Sequence, residues 1–177
     1  MKSEIIRVDN QGDGFAGAIQ ETQKICACAG LNTKDSLRLQ LCAEEMLSMA
    51  RSVTGEMKAS FWLENEGRLF TLHMSTKTVM DKEKRYQLIS ASSSRRNEAA
   101  NTFLGRLRDA FEAAMAAEAD HNGDEVPAEL WHDMPHYYPD ADEEGAEYEK
   151  SVLRKVADDI KIFIRGGYVE MTISKRF

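Results

Sequence analysis

The chain has little proline, few cysteines and no long apolar run. Its three prolines, Pro127, Pro135 and Pro139, all fall between Asp120 and Glu147, so no other stretch carries a proline break. The three cysteines, Cys26, Cys28 and Cys42, are an odd number on predicted helices. That suits reduced thiols in a cytosol better than a disulfide framework, and no disulfide is expected. No apolar run approaches the length that crosses a bilayer, and the opening MKSEIIRVDNQGDGF lacks the basic flank and apolar core of a signal peptide. A soluble cytoplasmic protein is expected. Lys and Arg are missing altogether from Glu118 to Glu149, a stretch that holds twelve Asp or Glu. Setting those twelve aside turns the net charge of −7 into about +5 for the remainder. The remainder is mildly basic but shows no dense Lys/Arg stripe, so no nucleic-acid partner is expected.

What is present is enough for a core. With 177 residues, 42% of them hydrophobic, the chain is expected to form a single domain over 1–177, interrupted by an acidic, proline-containing insertion at about 119–147. The central stretch is Leu37–Val53, an amphipathic helix that follows Gly30 and a cap at Asn32 or Thr33. Leu39, Cys42, Met46, Met49 and Val53 recur at spacings of three and four and share one face. Glu45 lies at the margin of that stripe, one turn before Met49, where a core helix with a solvated edge and a ligand site would look alike.

Glu4–Val8 predicts a short strand. Phe15, Ala18, Ile19, Thr22, Ile25, Cys26 and Ala29 mark a helical face that Gly30 can end. Cys26 and Cys28 lie about 200° apart on such a helix, which disfavours a shared metal. Lys58–Glu64 alternates Ala59, Phe61 and Leu63 against Ser60 and Trp62. A second alternating run from Leu69 to Met74 completes a hairpin across ENEG, with His73 facing outward. A short helix spans roughly Asp81–Ile89.

Ser94 is placed to cap a helix over about Arg96–Glu118, whose Ala99, Phe103, Leu107, Ala110, Phe111 and Ala114 form a packing face. Arg95 and Arg96 at that helix start offer an anion site, although an N-cap with Glu98 in the first turn accounts for the same residues. The acidic stretch is read as a mobile or partly ordered insertion. Its His132, His136, Asp133, Asp140 and Asp142 match no known ligand spacing, so no metal is expected. Trp131, Tyr137 and Tyr138 are candidates to anchor it or to bind a partner. A helix near Glu147–Ala157 leads into a last hairpin turning at Gly166-Gly167, with Ile160, Ile162 and Ile164 facing the same way as Val169, Met171 and Ile173. The fold expected is an α/β two-layer sandwich: a mixed, mainly antiparallel sheet of about five strands with helices over one face. The other face, near Trp62 and Phe163, must be covered or self-associate, which makes a homodimer a candidate state.

This order of elements, with LCAEEMLSMA on the helix before a hairpin, resembles the GHKL (histidine kinase-like) ATPase fold. The group it is most similar to is the bacterial anti-sigma serine kinases. Their helix pattern, L-x-x-S-E-x-x-T-N-A, falls on Leu41, Glu45, Ser48, Met49 and Ala50, and the resemblance covers most of Phe15–Lys175 apart from the insertion. It implies a glutamate, Glu45, that orients a water or hydroxyl, and an asparagine that holds the magnesium bridging the triphosphate. Met49 stands at the asparagine position, and a thioether cannot replace a hard oxygen ligand. The family's D-x-G-x-G box falls on Ser75–Val79, where Ser75 can accept a hydrogen bond but Lys77 and Val79 add bulk. The acidic insertion stands where the resemblance would put a glycine-rich lid, and it would repel a triphosphate. The expectation is therefore a non-catalytic, anti-sigma-like regulator that binds a protein partner and no cofactor. The alternative is an ATP-binding protein, a serine kinase or ATPase, whose magnesium-nucleotide site is remodelled around Glu45, Ser48, Met49, Ser75, Lys77, Arg95 and Arg96.

Overall fold

The computed structural model of the chain describes residues 1–9, 11–54, 58–100, 103–119 and 152–177. Two hairpins and one N-terminal strand build its sheet: β1 (Ile6–Asp9), β2 (Lys58–Glu66), β3 (Leu69–Lys77), β4 (Asp159–Arg165) and β5 (Tyr168–Arg176). The five strands lie in the order β1-β2-β3-β5-β4, and every neighbouring pair is antiparallel. Among the described residues the one parallel contact is an isolated bridge between Asn97 and Ile162. The helices are α1 (Phe15–Cys28), α2 (Thr33–Thr54), α3 (Lys82–Ala91) and α4 (Phe103–Ala119), and residues 152–156 are also helical. None of the described helices is long and apolar enough to cross a membrane.

Alternation along the strands decides the layers. Phe61, Leu63, Phe70, Leu72, Ile162, Met171 and Ile173 are fully buried on one face. Against them pack Leu39, Cys42, Met46 and Leu47 of α2 and Ala18, Ile25 and Cys26 of α1. Burying each large apolar side chain contributes about 1.5–3 kcal/mol, so this single interface between helices and sheet dominates the stability. The result is an α+β sandwich with α1 and α2 on the inner face of the sheet.

Local chemistry sets the ends of the elements. Gly14 caps α1 at φ 83, and a Cβ there would lie 2.0 Å from the Arg7 carbonyl, so only glycine fits. Past α1, Gly30 takes φ 69, and the Leu31 N–H closes back on the Cys26 carbonyl at 3.0 Å. Asn32 is the cap of α2: its Oδ1 accepts the Asp35 N–H at 2.9 Å, so the helix begins at Thr33, four residues before the expected start at Leu37. Asp81 does the same for α3 by accepting the Lys84 N–H at 2.7 Å.

α4 differs from the expectation in where it starts and in what it buries. It begins at Phe103, not at Arg96, because Ser92–Asn97 is committed to the edge of β4. The Ser93 N–H donates to the Ile160 carbonyl at 2.8 Å, and Ser93 Oγ accepts the Ile160 N–H at 2.8 Å. Four residues later Asn97 Oδ1 accepts the Ile164 N–H at 2.8 Å and its Nδ2 donates to the Ile164 carbonyl at 2.9 Å. A chain clamped at both ends along a strand cannot also be helical. On α4 itself Ala110, Phe111 and Ala114 are exposed, so this part of the expected packing face is not covered.

Candidate functional site

At the end of the sheet where β4 turns into β5, the inner side carries a cleft of about 310 Å³. Val79 and Met80, following β3, form one wall, and Phe111 and Met115 of α4 form the other. Ile164 and the Gly166-Gly167 turn close the end. Val79, Phe111 and Met115 are 84%, 66% and 52% exposed, which makes this an apolar surface open to solvent. The turn is held tightly: Gly167 takes φ 79, a Cβ there would meet the Thr78 carbonyl at 2.9 Å, and the Thr78 N–H donates to the Gly167 carbonyl at 2.9 Å. Glu112 on the rim accepts from the Gly166 N–H at 3.2 Å and from Arg108 Nε at 2.7 Å. Below it, the buried Arg85 and Asn97 both donate to Asp109.

The expected nucleotide residues do not converge on this cleft. Glu45 and Met49 are half-buried on α2 and Ser48 is exposed; Met49 packs against the core. Neither Glu45 nor Met49 lines the cleft. Strand alternation sends Met74 and Thr76 inward, so Ser75 lies on the outer face, between Ser60 and Glu170. Glu45 and Ser75 are therefore on opposite sides of the sheet. The inward hydroxyl at this end belongs to Thr76, which is 4% exposed and donates to the Lys58 carbonyl at 3.2 Å. Lys77 is exposed with its Nζ 5.4 Å from the centre of the Tyr168 ring.

Arg95 and Arg96 are exposed on the segment along β4. Arg95 takes φ 53, and its N–H donates to the Ser92 carbonyl at 3.3 Å. Ser94 donates to Glu98 at 2.7 Å and does not cap α4, which starts beyond it. The expected anion site, with hydroxyls and arginines at a helix N-terminus, is thus not built at Ser94–Arg96. Trp131, Tyr137, Tyr138 and the histidines and aspartates around them lie outside the described residues, as does most of the acidic insertion.

The outer face of the sheet is uncovered by any described helix, and its centre holds a stacked pair. The Trp62 and His73 rings are parallel, 4.9 Å between centroids, as expected for directly opposed cross-strand partners. Lys2 Nζ sits 5.5 Å above Trp62 and 2.8 Å from Glu64; its hydrogen bond holds the Glu64 carboxyl below the usual carboxylate range. His73 has Glu64 at 3.9 Å and Glu170 at 3.7 Å, too far for hydrogen bonds, and both its nitrogens are buried without a partner among the described residues. His73 is a stacking element here, in keeping with its expected outward orientation. Among the described residues no cluster of three or more His, Cys, Asp or Glu is arranged to hold a metal.

Sequence reasoning missed Phe111 and Met115 as cleft residues, because a helical apolar stripe reads as core until its neighbours are known. Comparison with protein-family models and with curated proteins finds no match for this chain.

Proposed function

We propose that this chain is a non-catalytic regulatory module that captures a segment of a protein partner in the cleft between Val79 and Phe111. The observation that carries the reading is the exposure of Val79, Phe111 and Met115 around one concave surface. Clustered exposed apolar side chains with a polar rim are a feature of protein-binding surfaces. The resemblance to the GHKL fold and its anti-sigma kinases supplies the context, a cytoplasmic regulator of a bacterial transcription or signalling protein. The helix-then-hairpin order is compatible with that resemblance. Loss of kinase chemistry is supported by Met49, a partly buried side chain packed against the core, and by Ser75, which faces away from Glu45.

Two measurements test this. Thermal unfolding with millimolar magnesium-ATP or ADP should leave the melting temperature of the protein and of Glu45→Ala unchanged. A saturable rise that Glu45→Ala abolishes establishes nucleotide binding and overturns the reading, since a ligand at a hundredfold excess over its Kd stabilises by about 2.7 kcal/mol. Phe111→Ser with Met115→Ser should fold normally yet lose a protein that the wild type retains from a bacterial lysate. Equal retention by both means the cleft is not the docking site.

A further inference from the structure

The outer face of the sheet carries a band of cations that the sequence scatters along the chain. At the end nearest the β4–β5 turn, the pairing Arg165↔Tyr168↔Lys77 places two cations on either side of one tyrosine. Continuing the register Ala59↔Thr76 by one residue sets Lys58 opposite Lys77; on its other side Lys58 lies directly opposite Asp9 of β1, and Arg7 lies opposite Ser60. Arg7, Lys58, Lys77, Tyr168 and Arg165 are all exposed. None of the four cations has an ion pair among the described residues. With strands about 4.8 Å apart, the band crosses roughly 19 Å from β1 to β4.

Two carboxylates face the same region. Asp9 is engaged by the N–H groups of Gln11 and Asp13 at 2.9 and 3.0 Å, and Glu170 is turned to His73 at 3.7 Å. The opposite end of the face is locally neutralised, Glu64 by Lys2 at 2.8 Å and Asp159 by Lys161 at 3.4 Å. Four cations against Asp9 and Glu170 leave the band a formal surplus of two positive charges.

We propose that this face binds single-stranded nucleic acid, with backbone phosphates along Arg7, Lys58, Lys77 and Arg165 and a base stacked on Tyr168. Tyr168 is 58% exposed, and Lys77 lies over its ring. Charge with an accessible aromatic on a flat antiparallel face is the combination that holds single strands without reading sequence. An acidic peptide meets the same charges, but the interior of a sheet face offers it no backbone hydrogen bonds and no groove, while a base needs only a ring. This inference does not depend on the reading of the cleft.

The test is fluorescence anisotropy of labelled 12-nucleotide oligo(dT) and oligo(U) with the full chain over a range of salt. Four phosphate contacts on a single strand give a slope of log K against log salt of about −3. Lys77→Ala and Arg165→Ala should each make that slope shallower by about 0.7. Tyr168→Ala should weaken binding about tenfold to a hundredfold with the slope kept. Lys24→Ala, on α1, should change neither. Absence of binding at 50 mM salt, or binding indifferent to Lys77→Ala and Tyr168→Ala alike, overturns the proposal. So does a polyglutamate peptide that binds as tightly as the oligonucleotides and is equally indifferent to Tyr168→Ala. Phe111→Ser leaves the oligonucleotide result unchanged, so the cleft and the sheet face are tested separately.

Discussion

Asn97 is the residue whose removal should cost this fold most for its size. It is 5% exposed, and its side-chain amide takes the place of a neighbouring strand on the outer edge of β4, where the described residues supply none. It accepts from the Ile164 N–H at 2.8 Å and donates to the Ile164 carbonyl at 2.9 Å, with Ile164 itself only 2% exposed. Asn97→Ala leaves both backbone groups without a partner, each at about 1–3 kcal/mol. Some water reaches a sheet edge once the side chain is gone, so the net loss is set at about 2–4 kcal/mol. With a urea m-value of about 2 kcal/mol/M, the unfolding midpoint should fall by roughly 1–2 M. Ser94→Ala, which removes only an exposed bond to Glu98, should stay within about 0.5 kcal/mol. Asn97→Asp keeps the acceptor for the Ile164 N–H but turns a carboxylate oxygen toward the Ile164 carbonyl and Asp109. It should cost more than Asn97→Ala at pH 7 and recover stability on acidification, as the new carboxyl gains a proton to donate. If Asn97→Ala unfolds at the same urea concentration as Ser94→Ala, the clamp contributes nothing and the edge of β4 is satisfied in another way.

Replacing His73 should have the opposite sign. His73→Phe keeps a ring against Trp62 and removes two buried nitrogens that have no partner, so calorimetry should show a gain of about 1 kcal/mol, or roughly 2–4 °C; a loss of that size means the imidazole is hydrogen-bonded in solution. The thiols should separate by burial: Cys28 is exposed while Cys26 and Cys42 are buried, so a disulfide reagent at pH 8 should modify one thiol in the native protein and all three after unfolding. Equal rates for the three count against the packing of α1 on α2. Burial pushes the Cys42 thiol up to about 12 from 9.0. The unfolded chain therefore releases a proton above pH 9 that the folded chain keeps until about 12. Stability from this group is intact below that window and falls as pH rises through it, by up to about 1.4 kcal/mol per pH unit, and Cys42→Ala should flatten the decline.

Much of the fold was legible because its signals are local. Phe61 and Leu63 against Ser60 and Trp62, and Ile160, Ile162 and Ile164 before Gly166-Gly167, alternate over enough residues to fix both hairpins and the face each turns inward. α1 and α2 were legible for the same reason at the helical period, with Gly30 and Asn32 marking the break between them. The start of α4 was not. Ser94, Arg96 and Glu98 carry the local chemistry of a helix N-terminus, but Ser93 and Asn97 have partners some 67 positions away on β4, and those bonds keep the segment extended. A long-range contact of this kind leaves no periodic trace.

The site depends on parity, where one residue decides which side of the sheet a side chain serves. Matching a family box to Ser75–Val79 by spacing put Ser75 in a common site with Glu45, yet the pairing of Ser75 with Ser60 and Glu170 places it on the outer face, and Thr76 is the hydroxyl that faces the helices. The same parity works in the other direction for charge. Arg7, Lys58, Lys77 and Arg165 make no basic stripe in the sequence, because each lies on a different strand. Register aligns them, and the chain's overall negative charge hides them because twelve acids lie together between Glu118 and Glu149. Net charge is a sum over the whole chain, whereas a bound phosphate responds to the few charges within a Debye length of about 8–10 Å. A mildly basic remainder can thus present a locally basic strip whenever its cations fall on same-facing positions across a sheet, which is the arrangement β1, β2, β3 and β4 give these four against Asp9 and Glu170.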